Sequence, residues 1–147
     1  MNALRQVAAS IRPALESDIE PLCLLDEIAQ QSPERREFIR RSVAGDSCYV
    51  AVMDQRAVGY SVLNYTFYDH GFIDMLYVAG DYRRRGIGSA LLEQMERLCK
   101  TAKLFTSTNL SNLPMQALLS RRGYLVSGVI DNLDEGDPEI VYFRRLG

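Results

Sequence analysis

Apolar and polar positions along the 147-residue chain follow two periods, and each period predicts a different element. Ser10 to Ala14 reads as a short first strand. Ser17-Asp18-Ile19-Glu20 has the form of a capping box. Ile19, Leu22, Cys23, Leu25 and Ile28 then repeat as one helix face. Ser32-Pro33 opens a second helix, with the proline suited to the first turn. Phe38, Ile39 and Val43 form its apolar side, and Gly45 ends it. Cys48 to Met53 is a strand, Asp54-Gln55-Arg56 a turn, and Ala57 to Tyr68 a long strand rich in Val, Tyr, Thr and Phe. Asp69-His70-Gly71 turns the chain into the apolar strand Phe72 to Val78. Ile87, Ala90, Leu91, Met95 and Leu98 recur at helical spacing. Lys103 to Ser107 is a fifth strand. Asn112 caps a helix that stops at Gly123. Tyr124 to Ile130 and Glu139 to Arg145 are the last strands. No repeat, low-complexity tract or linker interrupts the order β-α-α-β-β-β-α-β-α-β-β. Residues 1–8 are expected to form a loose, flexible end, and residues 9–147 one domain.

The junction between strand and helix at residues 83–92 holds the chemistry. It reads Arg83-Arg84-Arg85-Gly86-Ile87-Gly88-Ser89-Ala90-Leu91-Leu92. A helix start presents unpaired N–H groups and partial positive charge. Gly86 and Gly88 allow close approach to the backbone, and three arginines add permanent charge. The combination predicts a site for a phosphorylated ligand, a pyrophosphate above all. It is not a dinucleotide fingerprint: Leu91 stands at the third glycine position, and Lys100 to Leu110 lacks the required acid. It is not a P-loop, since neither glycine precedes Lys-Ser or Lys-Thr. The bland alternative is a surface turn with an arginine cluster.

Arg83-x-x-Gly86-x-Gly88 resembles the [Q/R]-x-x-G-x-[G/A] signature of the GCN5-related N-acetyltransferases (GNAT). Leu76-Tyr77-Val78 ends the preceding strand, as in that family. Asn112-Leu113-Pro114-Met115-Gln116-Ala117, followed by Arg122-Gly123-Tyr124, is similar to its second cofactor-side segment. The resemblance runs from about residue 9 to 146 and is strongest from Phe72 to Val126. It implies an α/β (α+β) fold with a mixed, mostly antiparallel sheet of about six to seven strands flanked by about four helices. It implies acetyl-CoA as co-substrate. The pyrophosphate would lie on Arg83, Arg84, Arg85, Gly86, Ile87, Gly88 and Ser89. The pantetheine arm would lie along Leu76, Tyr77 and Val78, with Asn112 near the same arm. The implied activity is acetyl transfer to a primary amine, small molecule or peptide, by direct attack in a ternary complex. The competing readings are a non-catalytic acyl-CoA-binding module and an unrelated phosphate-ligand binder. The resemblance also leaves room for a homodimer.

Composition narrows the classes. Hydrophobic residues make up 47 % and charged residues 24 %, which suits a globular, soluble chain. A net charge of −2 argues against nucleic-acid binding. Arg35, Arg36, Arg40 and Arg41 read as a solvated helix face. Three cysteines, Cys23, Cys48 and Cys99, sit in apolar stretches without metal spacing, so no metal is expected. They suggest reduced, buried thiols and a cytoplasmic protein. No apolar run approaches membrane-spanning length, and the first eight residues lack a signal-peptide core.

Asp74 is the first candidate for a general base. It is the only acid in Phe72 to Val78, the strand that by resemblance passes the thioester; the alternative is a structural cap or pair at a bulge. His70, the only histidine, reads as an exposed turn residue. Asp131, Asp134, Glu135, Asp137 and Glu139 read as a solvated loop, or as a border of the acceptor site that favours a cationic amine. Tyr65, Phe67, Tyr68 and Tyr77 could wall an acceptor cleft, but at strand spacing they are more often sheet surface or core. One departure from the family stands out. Leu119 occupies the position, seven residues after Asn112, where many members carry a tyrosine that protonates the departing thiolate.

Overall fold

The computed structural model describes residues 9–147. Its elements are β1 (Ser10–Pro13), α1 (Ile19–Leu25), α2 (Pro33–Ala44), β2 (Cys48–Met53), β3 (Arg56–Phe67), β4 (His70–Val78), α3 (Ile87–Leu98), β5 (Lys103–Asn109), α4 (Leu113–Arg121), β6 (Leu125–Ile130) and β7 (Glu139–Arg145). The strands form a seven-stranded sheet in the order β1-β2-β3-β4-β5-β7-β6. Neighbours β1–β2, β2–β3, β5–β7 and β6–β7 are antiparallel, and β4–β5 is parallel. The expected mixed, mostly antiparallel sheet with four helices is therefore present.

Local chemistry explains most boundaries. Asp54 and Gln55 both have positive φ (52° and 64°), as do Tyr68 and Asp69 (53° and 64°). Two such residues in succession make the tight hairpin turn whose twist matches antiparallel strands. His70 consequently begins β4 and is not a turn residue. Pro33 opens α2, where Ser32 Oγ accepts the Arg35 N–H at 3.1 Å.

The capping box expected at Ser17–Glu20 does not form. Residues 16–18 make one 3-10 turn, and the first turn of α1 has no side-chain cap. The Asp18 carboxylate accepts the Leu15 N–H at 2.7 Å and a two-pronged bond from Arg12 at 2.7 and 3.0 Å. Those bonds, the Arg12 one foremost, hold its pKa below the ordinary carboxylate value. At its other end α1 stops after seven residues, where Asp26 is extended and its carboxylate accepts the Ile28 and Ala29 amides, so Ile28 falls outside the helix, 51 % exposed.

The contacts gather the chain into two compact units, residues 9–62 with Leu76–Leu91, and Leu63–Met75 with Leu92–Gly147. In the first, Ala51, Met53, Val58, Ile87 and Leu91 form a core cluster, with Ile11, Leu76, Val78 and Tyr82 packed on it. The same unit buries Asp26 completely. Its carboxylate accepts from Tyr60 Oη (2.6 Å), Arg35 (2.7 Å) and the amides of Ile28 and Ala29 (2.9 and 3.2 Å). Arg36 donates to the Ala29 carbonyl at 2.6 Å. The arginine face of α2 is thus only half solvated. Arg40 and Arg41 pair with exposed Glu37, while Arg35 and Arg36 pin the segment between α1 and α2.

In the second unit Ile73, Leu92, Met95, Leu104, Leu119 and Tyr142 are buried. Phe67 of β3 packs against both Phe72 of β4 and Phe105 of β5, and Phe105 against Phe143 of β7, with ring centroids 5.0 to 5.8 Å apart. Glu96 on α3 receives Arg122 (2.7 Å), Arg144 (2.8 Å) and Tyr124 Oη (2.9 Å).

Candidate functional site

The first unit contains the end of β4, the turn after it and the first residues of α3. β4 ends with Leu76, Tyr77 and Val78, all half-buried. A 3-10 turn at Gly80–Tyr82 follows, and α3 begins at Ile87. Between them the backbone reverses twice, with φ of 64° at Arg84 and 80° at Gly86. Alternation of that kind gathers successive N–H groups into an anion-binding concavity. The first backbone bond of α3 runs from the Ala90 N–H to the Gly86 carbonyl at 3.0 Å. The amides of Ile87, Gly88 and Ser89 come before it and have no intrahelical acceptor. A Cβ at Gly86 would meet nothing within 4 Å, so glycine serves there through its positive φ and not through a crowded backbone.

The three arginines are exposed but differ in restraint. Arg83 Nε donates to the Val78 carbonyl at 3.0 Å, and its guanidinium lies 5.6 Å from the Tyr77 ring centre. Arg85 lies 5.0 Å from the Tyr82 ring centre. Tyr77 is held in turn: its hydroxyl accepts the Glu27 N–H at 3.1 Å, and its ring lies 6.1 Å from Tyr60. The buried Asp26 network therefore reaches the end of β4 through Tyr60 and Tyr77. Sequence reasoning missed this network, because a buried Asp and its Arg lie on different elements and carry no spacing signal. It also missed Gly59 on β3. A Cβ there would stand 2.7 Å from the Tyr77 carbonyl oxygen, and a lone glycine inside a strand is the available hint of such an approach.

The second unit holds Asp74 and Asn112. The β4–β5 ladder ends at Ile73 opposite Thr106, one residue before Asp74. Asp74 is exposed and accepts a bond from Asn64 Nδ2 at 3.2 Å. Asn112 caps α4, its Oδ1 accepting the Met115 N–H at 3.2 Å. His70 lies against Phe105, ring centres 5.4 Å apart. Tyr68 is 83 % exposed, the Tyr65 hydroxyl accepts the Lys100 N–H at 3.1 Å, and Phe67 belongs to the phenylalanine cluster.

The acidic turn is tied down more than a solvated loop would be. Asp134 accepts from Asn109 (2.8 Å), Asp137 from Ser111 Oγ (2.6 Å) and Glu139 from Ser107 (2.7 Å). Together with Asp74 these carboxylates are held by neutral donors, and none forms an ion pair among the described residues.

Leu119 is completely buried. Tyr124 is buried and donates to Glu96 at 2.9 Å; burial first, then the Glu96 charge, pushes its pKa up. Burial also pushes the Cys48 thiol up to about 12 and raises Cys23, so neither is primed as a nucleophile. No helix among the described residues is long and apolar enough to cross a membrane.

Comparison with known proteins places this geometry. A GNAT-family crystal structure from Bacillus cereus ATCC 10987 superposes with a TM-score of 0.87, at 32 % identity, over 93 % of this chain and 96 % of the other. The Escherichia coli streptothricin acetyltransferase is 27 % identical over 103 residues, 67 % of this chain. That match spans only 59 % of the relative's length. An acetyltransferase from Bacillus anthracis str. Ames, solved in complex with acetyl coenzyme A, shares the fold over 67 % of this chain and 61 % of its own, with a TM-score of 0.62 at 19 % identity. The model of the Acetyltransferase (GNAT) family matches residues 11–124, which hold the arginine–glycine turn, and the chain belongs to that family.

Proposed function

We propose that this chain is an N-acetyltransferase that moves an acetyl group from acetyl-CoA to a primary amine, in the cytoplasm. The observation that carries the reading is the turn between β4 and α3. Its helix-start amides, positive φ at Arg84 and Gly86 and three arginines suit a pyrophosphate. Arg83 to Ser89 would hold that group. The backbone of Leu76, Tyr77 and Val78 would take the pantetheine arm as an added strand, with Asn112 beside it.

A lysine-like amine, with a reference pKa of about 10.4, arrives protonated and cannot attack. Asp74 is the proposed base, acting directly or through water, with Asn64 orienting its carboxylate. Attack is direct, in a ternary complex, so the cysteines need no part. The thiol of CoA, with a reference pKa of about 8.5, leaves as thiolate or takes a proton from water. Leu119 is apolar, and the Tyr124 proton is committed to Glu96. The unneutralised carboxylates Asp74, Asp134, Asp137 and Glu139 support a cationic acceptor. The streptothricin-acetylating relative supports a small-molecule amine over a peptide. A second reading, an acyl-CoA-binding module without catalysis, is favoured by Leu119 alone.

Two measurements test this. Titration calorimetry should give micromolar acetyl-CoA affinity in wild type and a loss of at least tenfold in folded Gly88→Val. Equal affinities would remove the turn from the cofactor site. Thiol release across a panel of cationic amines should be fastest with one of them. CoA binding without thiol release on any amine would favour the binding module.

A further inference from the structure

Asp26 is completely buried and pairs with Arg35 at 2.7 Å. Stability alone gives no reason for such a pair, because well-packed apolar residues of similar volume commonly serve as well or better. Its further role is read from the groups it holds.

Asp26 fixes two neighbours, and both of them touch Tyr77. The first is Tyr60 on β3, whose hydroxyl donates to Asp26 Oδ2 at 2.6 Å. Burial first, then that bond, pushes the Tyr60 pKa up, so the phenol keeps its proton and remains a donor. Its ring centre lies 6.1 Å from that of Tyr77. The second is the segment after α1, where Asp26 Oδ1 accepts the Ile28 and Ala29 amides at 2.9 and 3.2 Å. Those bonds set the direction of the adjacent Glu27 N–H, which donates to the Tyr77 hydroxyl at 3.1 Å. One buried carboxylate thus governs what meets the ring of Tyr77 and what meets its hydroxyl.

Tyr77 is the middle residue of the last three in β4. The β4–β5 ladder ends at Ile73, so these three lie beyond it. Their place is set from β3, where the Val58 carbonyl accepts the Ala79 N–H at 2.8 Å, and by the ties of the Tyr77 side chain. An added strand bonds only where backbone donors and acceptors stand in register, so a small displacement here matters.

We propose that Asp26 and Tyr60 are positioning residues for the cofactor: they fix Tyr77, and with it the backbone that receives the pantetheine arm. This rests on the reading of Leu76, Tyr77 and Val78 as the pantetheine strand. Both residues are 0 % exposed, so neither reaches a bound ligand directly.

Two ligands separate this role from general stabilisation. Acetyl-CoA uses the strand and the phosphate turn. The compound 3′-phosphoadenosine 5′-diphosphate, which is CoA without its pantetheine, uses the turn alone. Titration calorimetry compares the full chain as wild type, Tyr60→Phe and Asp26→Asn. Tyr60→Phe keeps the ring and leaves Asp26 paired with Arg35, so it decides the matter even where Asp26→Asn does not fold. In each folded variant acetyl-CoA affinity should fall by about fivefold or more, within the range for a residue that acts through another. Affinity for the fragment should stay within about twofold of wild type. An equal loss for both ligands would mean general loosening and would overturn the proposal. So would wild-type acetyl-CoA affinity in folded Tyr60→Phe. Failure of the pantetheine reading shows in wild type itself, as acetyl-CoA binding no tighter than the fragment, and it overturns the proposal as well.

Discussion

Gly59 lies so close to Tyr77 that a β-carbon on residue 59 would stand 2.7 Å from the Tyr77 carbonyl oxygen and 3.4 Å from the α-carbon of Val78. No side chain other than hydrogen fits there without moving backbone. The backbone in question is the stretch proposed to pair with the pantetheine arm.

Gly59→Ala should therefore act at two levels. Overpacking of this kind costs about 1–3 kcal/mol, which urea denaturation would read directly. The displaced end of β4 should also weaken acetyl-CoA binding by more than the stability loss explains at saturating native fraction. A folded variant with wild-type affinity would separate the Gly59–Tyr77 contact from the cofactor site.

Asp74→Asn keeps the size of the side chain and its bond to Asn64 while removing the carboxylate. Turnover should fall by about 10²-fold or more, the usual range for a general base. Acetyl-CoA affinity should stay within about twofold, since the reading gives Asp74 no cofactor contact. The defect should be largest near neutral pH and shrink where the amine is already neutral. Superimposable pH–rate profiles for the two proteins would make Asp74 structural.

The same residues show what a sequence can disclose. The order of elements was legible because period-two and period-3.6 patterns are local. So was the arginine–glycine turn, since its chemistry lies within one short run. The Ser17 capping box misled because Asp18 has a stronger option in Arg12, six residues back. Arg35 read as solvated because its partner, Asp26, lies in a connection with no periodicity. The acidic turn does face solvent, with Asp131, Asp134 and Glu135 exposed, but the bonds by which Ser107, Asn109 and Ser111 hold Glu139, Asp134 and Asp137 left no mark in the sequence. Pairings across strands and loops depend on register, which composition does not carry.

Leu119 illustrates the same limit. As a departure from the family's tyrosine, it invites Leu119→Tyr as a gain of function. In the structure it is fully buried, its carbonyl accepting the Tyr124 N–H at 3.0 Å. A phenol there must displace packed neighbours and bury its hydroxyl. Leu119→Tyr should lower stability by about 1–3 kcal/mol and leave turnover no higher than wild type. A rise in kcat with unchanged melting would show that the ring reaches the active centre.

Glu96 makes the clearest pH prediction. Burial alone would raise its pKa. Hydrogen bonds from Arg122, Tyr124 and Arg144 outweigh burial and hold it below the ordinary value. A carboxylate depressed in the folded state contributes stability that is complete above the ordinary glutamate pKa of about 4.3. That contribution is lost as the pH falls from there through the lower folded value. Glu96→Gln removes it at every pH and leaves two guanidiniums without their counter-charge. Arg122 and Arg144 keep 24 and 37 % of their side-chain exposure, so water screens part of the loss, and the gap between wild type and variant should be about 1–3 kcal/mol at pH 7. It should narrow steadily once the pH passes below about 4.3, because wild-type Glu96 then becomes neutral as well. Urea unfolding of both proteins at a series of pH values measures that gap directly. A gap that stays constant down to the acid limit would mean that packing and not charge is what Glu96 contributes to the α3–β7 region.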